Sequence, residues 1–189
     1  MSGHKDQTTS ETRRARCRCG RVELRINGAP IVSTSCHCAN CQKAGAIFAA
    51  LPGGAQVLEV DGGTPFALFR KDRIGCVAGS ELLGEHRLTP KSPTRRVLAG
   101  CCNSPMFLEF SGGHWLSVYA ERLPASERPP MEMRVMTRDR RPGVEFSDGL
   151  PSYAKHSGSF MWRLLWAWAA MGFRAPKLDY VKGELGVQG

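Results

Sequence analysis

Residues 36–41 read CHCANC, a run that places three cysteines within six positions. Because the C-x-C and C-x-x-C spacings overlap, one tight turn can direct all three sulfur atoms at a single ion. Thiolates are soft ligands that zinc takes in tetrahedral sites, and C-x-x-C is a recurrent zinc-knuckle spacing. Three ligands leave one coordination position open, as a catalytic zinc requires, whereas a fourth cysteine from elsewhere would complete a structural site. The spacing therefore predicts metal binding and leaves both kinds of site open.

Disulfide bonds are the alternative use of the eight cysteines. Residues 1–16 contain no apolar run that would indicate a secretory leader. Disulfide bonds seldom persist in a reducing compartment. We therefore predict a cytoplasmic protein whose clustered cysteines bind metal. Cys76 stands alone among apolar neighbours and is expected to behave as a small hydrophobic residue.

The composition indicates one globular domain that is large enough for a hydrophobic core. The chain has 189 residues, of which 42% are hydrophobic and 23% are charged. The 21 glycines and 12 prolines favour short strands joined by turns. The net charge of +9 is spread along the chain without alternating aromatic residues, a pattern that argues against nucleic-acid binding. Attraction of small anions and a solvated basic surface both remain open.

The pattern of apolar residues predicts a mainly β fold of short antiparallel sheets around cysteine knuckles, followed by one helix. We expect a disordered tail at 1–15, a zinc-binding β domain at 16–150 and a C-terminal extension at 151–189. The predicted strands are 21–26, 31–35, 46–51, 56–60, 66–69, 73–78, 95–100, 106–110, 115–119 and 131–136.

The stretch SFMWRLLWAWAAMGF at 159–173 predicts the C-terminal helix, with Arg163 as its single charge. About fifteen residues span about 22 Å, which is short of the roughly 30 Å needed to cross a bilayer. Its apolar circumference predicts that the tryptophans pack against the rest of the chain or against a second subunit, as in a homodimer. Interfacial contact with a membrane is the alternative.

Three cysteine motifs in order carry a resemblance to a known family: C-R-C-G at 17–20, CHCANC at 36–41 and C-N-S-P at 102–105. This order resembles the glutathione-dependent formaldehyde-activating enzymes, a group that includes centromere protein V, over about residues 16–120. The resemblance implies a β-tent fold. It also implies a catalytic zinc on Cys36, Cys38 and Cys41 and a structural zinc on Cys17, Cys19 and Cys102.

The chain departs from the family pattern at the structural site. Ala99 stands where the family has a cysteine, and Asn103 stands where it has a glycine. Cys101 is the candidate substitute for the missing ligand. Because adjacent residues on a strand point to opposite faces, Cys101 can join Cys102 only through a local turn. We expect one or two zinc ions per chain.

The activity that the resemblance implies is the reversible addition of glutathione to formaldehyde, a carbon–sulfur lyase reaction. A small thiol or a thiol–aldehyde adduct would be the substrate. Three thiolates weaken zinc as a Lewis acid, so we expect activation of the thiol rather than of the carbonyl. Lys43 is either a contact for a glutathione carboxylate or a solvated lysine. His37 is expected to point outward, and a non-catalytic zinc module that binds a protein or nucleic acid is the alternative function.

Overall fold

The computed structural model describes residues 11–185, which form two β-sheets and two α-helices. The strands in chain order are β1 (Thr12–Arg16), β2 (Glu23–Asn27), β3 (Val32–Cys36), β4 (Thr64–Arg70), β5 (Ile74–Ala78), β6 (Leu83–His86), β7 (Thr94–Ala99), β8 (Ser104–Phe110), β9 (Trp115–Tyr119), β10 (Met133–Val135) and β11 (Gly183–Glu184). The helices are α1 (Ala39–Ala50) and α2 (Gly158–Ala169). The predicted mainly β class with a C-terminal helix is confirmed.

The smaller sheet has three strands in the order β1-β2-β5, and the larger has eight in the order β10-β3-β4-β9-β8-β7-β6-β11. Neighbouring strands are antiparallel except at the two edges of the larger sheet. There β10 runs parallel to β3, and β11 runs parallel to β6. Neither sheet closes into a barrel, and the parallel edges are an addition to the antiparallel arrangement that the sequence predicts.

The larger sheet is the central layer, and its two faces belong to different cores. On β4, Ala67 and Phe69 pack toward the smaller sheet, whereas Phe66 and Leu68 pack toward the two helices. This division follows from the alternation of side chains along a strand. The face toward the helices matters for function, because a cavity lies between this face and α2.

Helix α1 corrects the prediction of a strand at 46–51. Cys38 caps the helix, and its sulfur accepts a hydrogen bond from the backbone N–H of Cys41. The buried residues recur at helical spacing, namely Cys41, Ala44, Gly45 and Phe48. Pro52 follows the C-cap, where the residue before a proline is biased away from helical geometry. The short apolar run at 46–51 is compatible with a strand or a helix, and the N-cap at Cys38 favours the helix.

Two further expectations need correction. Residues 56–60 form an irregular segment rather than a strand. The side chain of Leu58 in this segment packs against α1 at Gly45, where the absence of a side chain leaves room for it. The predicted tail at 1–15 is wrong at its end, because Thr12–Arg16 forms β1 and pairs with β2. Residues 1–10 of that predicted tail lie outside the described residues.

Helix α2 lies on the larger sheet with one face buried and the other exposed. Ser157 caps it by accepting a hydrogen bond from the N–H of Phe160, and Leu164 is 4% exposed. Trp162 is 61% exposed and Trp166 is 68% exposed, whereas Trp168 stacks on buried His114. The rest of the chain therefore leaves Trp162 and Trp166 uncovered, and their packing against a second subunit stays a prediction. Within residues 11–185, no helix combines the length and apolar character needed to span a membrane.

Candidate metal centres and the adjoining cavity

Four cysteines from two distant turns form the first thiol cluster. Cys17 and Cys19 lie in the turn after β1, whereas Cys101 and Cys102 lie in the turn between β7 and β8. Their four Sγ atoms all lie within 4.8 Å of one another. The separations are 3.6 Å for Cys17–Cys19, 3.9 Å for Cys17–Cys101, 3.3 Å for Cys19–Cys101 and 3.9 Å for Cys101–Cys102. A tetrahedral zinc with Zn–S bonds of 2.3 Å places its sulfurs about 3.8 Å apart, so the cluster fits this ion.

The local backbone explains how adjacent cysteines reach one site. Cys102 donates its N–H to the carbonyl oxygen of Ala99 at 3.2 Å, which closes a turn at the end of β7. Asn103 has a φ of +50°, a conformation that asparagine tolerates better than most residues. Asparagine can therefore stand where the family has glycine. This turn supplies the geometry that Cys101 needs in order to face the same point as Cys102.

Cys102 is a thiol of the four-thiol cluster whose ionisation is favoured by its surroundings. Burial opposes ionisation of Cys102, but hydrogen bonds from Ser104 and the neighbouring thiols outweigh it and lower its pKa to about 6. The Oγ of Ser104 lies 3.1 Å from that sulfur. Burial raises the pKa of Cys17 and of Cys101. Negative charge is therefore favoured on the sulfur of Cys102, which suits it as a ligand for a soft cation.

The second cluster is formed by Cys36, Cys38 and Cys41, whose Sγ atoms also lie within 4.8 Å of one another. Cys36 ends β3, Cys38 caps α1 and Cys41 lies in the first helical turn. The side-chain amide of Gln42 holds this knuckle by donating to the carbonyl oxygens of His37 at 2.6 Å and Asp139 at 2.7 Å. The strand-to-helix junction therefore directs all three thiols to one side.

Cys38 is the most acidic thiol of this cluster. Hydrogen bonds from the thiols of Cys36 and Cys41 lower the pKa of Cys38 to about 2, and the charge of Arg96 acts in the same direction. The same interaction with Cys38 raises the pKa of Cys36. The helix N-terminus, which the Cys38 sulfur caps, also favours negative charge. The site is therefore suited to a cation before any substrate enters.

All three of these cysteines line a cavity of 360 Å³ between the larger sheet and α2. Its remaining lining residues are Thr34, Asn40, Phe66, Leu68, Ser92, Thr94, Arg96, Leu108, Phe110, Trp115, Ser117, Val135, Met136, His156, Phe160, Met161 and Leu164. The four-thiol cluster is not part of this lining. The two clusters therefore differ in what they face as well as in the number of sulfurs.

Arg96 and His156 line the cavity and were missed from the sequence. Arg96 is 2% exposed, and its Nη2 donates to the carbonyl oxygen of Asn40 at 3.2 Å. Its Nε has no hydrogen-bond partner among the described residues. His156 is exposed at the rim of the cavity and stacks on Phe160 with ring centroids 4.8 Å apart. Partial desolvation by its neighbours lowers its pKa, which favours the neutral imidazole. Arg96 is two positions from the apolar Leu98 on β7, a spacing that places both side chains on the same face of the strand. This spacing was a signal for the arginine, whereas His156 lies in a loop that carries no such pattern.

Other candidates from the sequence lie away from the cavity. Lys43 is exposed on α1 and is not among the lining residues. His37 is fully buried rather than pointing outward, and its ring packs edge-on against Phe146 at 5.0 Å. Burial lowers the pKa of His37. Cys76 stays outside both clusters and donates to the carbonyl oxygen of Ala78.

Comparison with known proteins places the resemblance in the N-terminal part of the chain. The family model described as glutathione-dependent formaldehyde-activating enzyme matches residues 12–51, which include Cys17, Cys19 and the whole three-thiol cluster. The predicted family resemblance is confirmed in this segment. The search of curated proteins found no match.

One solved structure similar to this chain is a Rhodobacter sphaeroides protein from a structural genomics programme. The two chains share 14% identity, and the match covers 74% of this chain and 98% of that one with a TM-score of 0.43.

Proposed function

We propose that this protein is a cytoplasmic, zinc-dependent enzyme that catalyses the reversible addition of a thiol to an aldehyde. Glutathione and formaldehyde are the pair that the matching family suggests. The observation that carries the proposal is the opening of the three-thiol cluster into a cavity. A site that only stabilises the fold has no need of adjoining space.

The two clusters would hold one zinc ion each. Cys17, Cys19, Cys101 and Cys102 offer four sulfurs, which complete a tetrahedral structural site. Cys36, Cys38 and Cys41 offer three, which leave one position for a substrate. When bound there, zinc supplies a positive charge that favours the thiolate form of a substrate thiol.

The reaction balances without an oxidant or reductant. The substrate sulfur forms a bond to the carbonyl carbon, the carbonyl π electrons move to oxygen, and the proton of the thiol ends on that oxygen. The product is a hemithioacetal, and the reverse step breaks the same carbon–sulfur bond. Protein groups therefore have to move one proton and favour a transient negative charge on oxygen.

Two residues of the lining suit these tasks. The neutral imidazole of His156 can accept the thiol proton and return it to the carbonyl oxygen. The buried guanidinium of Arg96 has an N–H without a partner and can donate to the developing oxyanion. The apolar walls around the buried guanidinium of Arg96 strengthen its electrostatic interaction with the oxyanion.

The test measures the exchange of ¹³C-formaldehyde with its glutathione adduct by NMR exchange spectroscopy, with zinc-containing protein. We expect the protein to accelerate exchange and Cys38→Ser to lose at least about 100-fold of the acceleration. Cys76→Ser is the matched control, since it removes a thiol outside both clusters. No acceleration by the wild-type protein with formaldehyde or with longer aldehydes would refute the proposal.

A binding module is the second candidate, and the exposed rings of Trp162 and Trp166 favour it. These rings stack on one another with centroids 6.2 Å apart on the outer face of α2. A second copy of the chain covering this face would make the protein a homodimer. Light scattering of the wild type and of a Trp162→Ser/Trp166→Ser variant tests this: a dimer that the double substitution dissociates, without any catalysed exchange, would favour the module.

A further inference from the structure

The walls of the cavity beside the three-thiol cluster are mainly apolar. Large apolar side chains come from the sheet and from α2, namely Phe66, Leu68, Leu108, Trp115, Phe160 and Leu164. Some of the polar residues in the lining are already engaged: Thr34 donates its hydroxyl to the carbonyl oxygen of Met133, and Ser92 donates to that of Thr94. The interior therefore offers mostly dispersion contacts, together with the buried guanidinium of Arg96.

The charges of the lining do not match those of a whole glutathione molecule. Arg96 is the one buried cation in the lining, and no carboxylate belongs to it in the part of the chain that the structure describes. Glutathione carries two carboxylates and one ammonium group. Burying these charges without partners is costly. The charged part of such a thiol would remain at the mouth of the cavity, and the interior would receive another group.

The size and the rim of the cavity indicate what that group is. A cavity of about 150 Å³ with apolar walls holds benzene, and this cavity measures 360 Å³. Phe110 and Met161 belong to the lining and are 43% and 53% exposed, so apolar surface continues from the interior to the solvent. Formaldehyde has no apolar substituent and would leave most of this space unfilled.

We infer that the aldehyde partner of this enzyme carries an apolar substituent, such as a five-carbon alkyl chain or a phenyl ring, which occupies the cavity between the larger sheet and α2. The inference rests on the proposed function and names its substrate class. The bond changes are those of hemithioacetal formation, with the carbonyl carbon at the three-thiol cluster and the substituent against Leu108 and Leu164.

The first measurement compares aldehydes with glutathione as the common thiol. Each buried methylene favours binding by roughly fourfold. After correction for the uncatalysed rates, we expect kcat/KM for hexanal to exceed that for formaldehyde by at least about 30-fold. Equal or lower values for hexanal, with formaldehyde accelerated, would overturn the inference and leave the proposed function standing. Acceleration of neither aldehyde would overturn both.

The second measurement does not depend on catalysis and uses 1-hexanol, an unreactive probe, in NMR saturation-transfer titrations. We expect Leu164→Ser to weaken binding about tenfold, because its side chain lines the cavity. Leu165→Ser is the control on the same helix, because Leu165 is 46% exposed and does not line the cavity. The Leu165→Ser variant should bind hexanol as the wild type does. Leu108→Gln supplies an independent change on the sheet side. Hexanol binding that none of the lining substitutions affects would overturn the inference.

Discussion

The two thiol clusters use the same residue type in different surroundings. The four-thiol cluster joins residues that are 84 positions apart in sequence, such as Cys17 and Cys101, and links the smaller sheet to a hairpin of the larger one. The three-thiol cluster lies within residues 36–41 at a single strand-to-helix junction and borders the cavity. Metal in the first closes a long loop, whereas metal in the second closes almost none.

The difference in loop length predicts that metal binding at the two clusters contributes unequally to the free energy of unfolding. A ligand set that bridges distant parts of a chain contributes its binding free energy to folding, since the unfolded chain cannot form it. A local set already held by a helix cap contributes less to folding and is free to leave a coordination position open. We therefore propose a structural role for the first cluster and a chemical role for the second, and each prediction below tests that proposal.

The largest effect is expected for Cys19→Ser. Loss of one ligand from the bridging cluster should cost at least about 3 kcal/mol, which lowers Tm by about 6–12 °C for a chain of this length. Thermal unfolding followed by circular dichroism measures this. Cys76→Ser is the control and should lower Tm by only a few degrees. A Tm of Cys19→Ser that matches the control would mean that the four-thiol cluster does not stabilise the fold.

Cys38→Ser should show the opposite pattern. We expect it to lower Tm by less than half as much as Cys19→Ser, because its cluster closes only a short loop. It should nevertheless abolish the catalysed thiol–aldehyde exchange. If Cys38→Ser unfolds the chain as severely as Cys19→Ser, the three-thiol cluster is structural as well. If it retains full activity, the chemistry lies elsewhere.

A smaller effect is expected for Arg96→Met, and only at the three-thiol cluster. Hydrogen bonds from Cys36 and Cys41 are the main cause of the lowered pKa of Cys38, and the positive charge of Arg96 acts in the same direction. Removing this charge should raise that pKa, and acid should then release zinc from the proposed site at a higher pH. A colorimetric chelator during an acid titration follows the release.

Arg95→Met is the control for that titration. Arg95 forms ion pairs with Glu85 and Glu109 and does not line the cavity. Its substitution should leave the pH of zinc release unchanged even where it lowers stability. An equal shift in both variants would show that the effect is general destabilisation rather than the local charge.

The smallest effect concerns Asn103, which holds the turn of the four-thiol cluster. Asn103→Gly relieves the left-handed conformation but loses the hydrogen bond from Nδ2 to the carbonyl oxygen of Pro52. These terms offset one another, so Tm should change by less than about 2 °C. Asn103→Val should lower Tm further, because a β-branched residue is strained at this φ. Equal Tm values for the two variants would contradict this account of the turn.

The sequence predicted the thiol clusters better than the cavity. The clusters follow from short spacings and from three ordered motifs, which are local signals. The role of Cys101 required the turn at residues 100–103, whose geometry depends on the pairing of Ala99 with Ser104 across β7 and β8. The cavity depends on α2 lying against the larger sheet, a tertiary arrangement that no local pattern determines.

The errors have identifiable physical causes. The apolar run after Cys41 was interpreted as a strand, although the residues buried at positions 41, 44, 45 and 48 have helical spacing. The apolar tryptophans of α2 predict cover by the rest of the chain or by a second subunit, and the rest of the chain does not cover Trp162 and Trp166. Helix α2 instead buries a narrow stripe through Phe160 and Leu164, and the indoles of Trp162 and Trp166 lie on its outer side.

Native mass spectrometry of the protein purified without chelators tests the central claim most directly, because it counts metal ions on each folded chain. The account predicts two zinc ions on the wild type, and one on Cys38→Ser with an unchanged charge-state distribution. A wild-type chain that carries no transition metal, or a Cys38→Ser variant that retains both zinc ions, would contradict the assignment of separate structural and catalytic clusters.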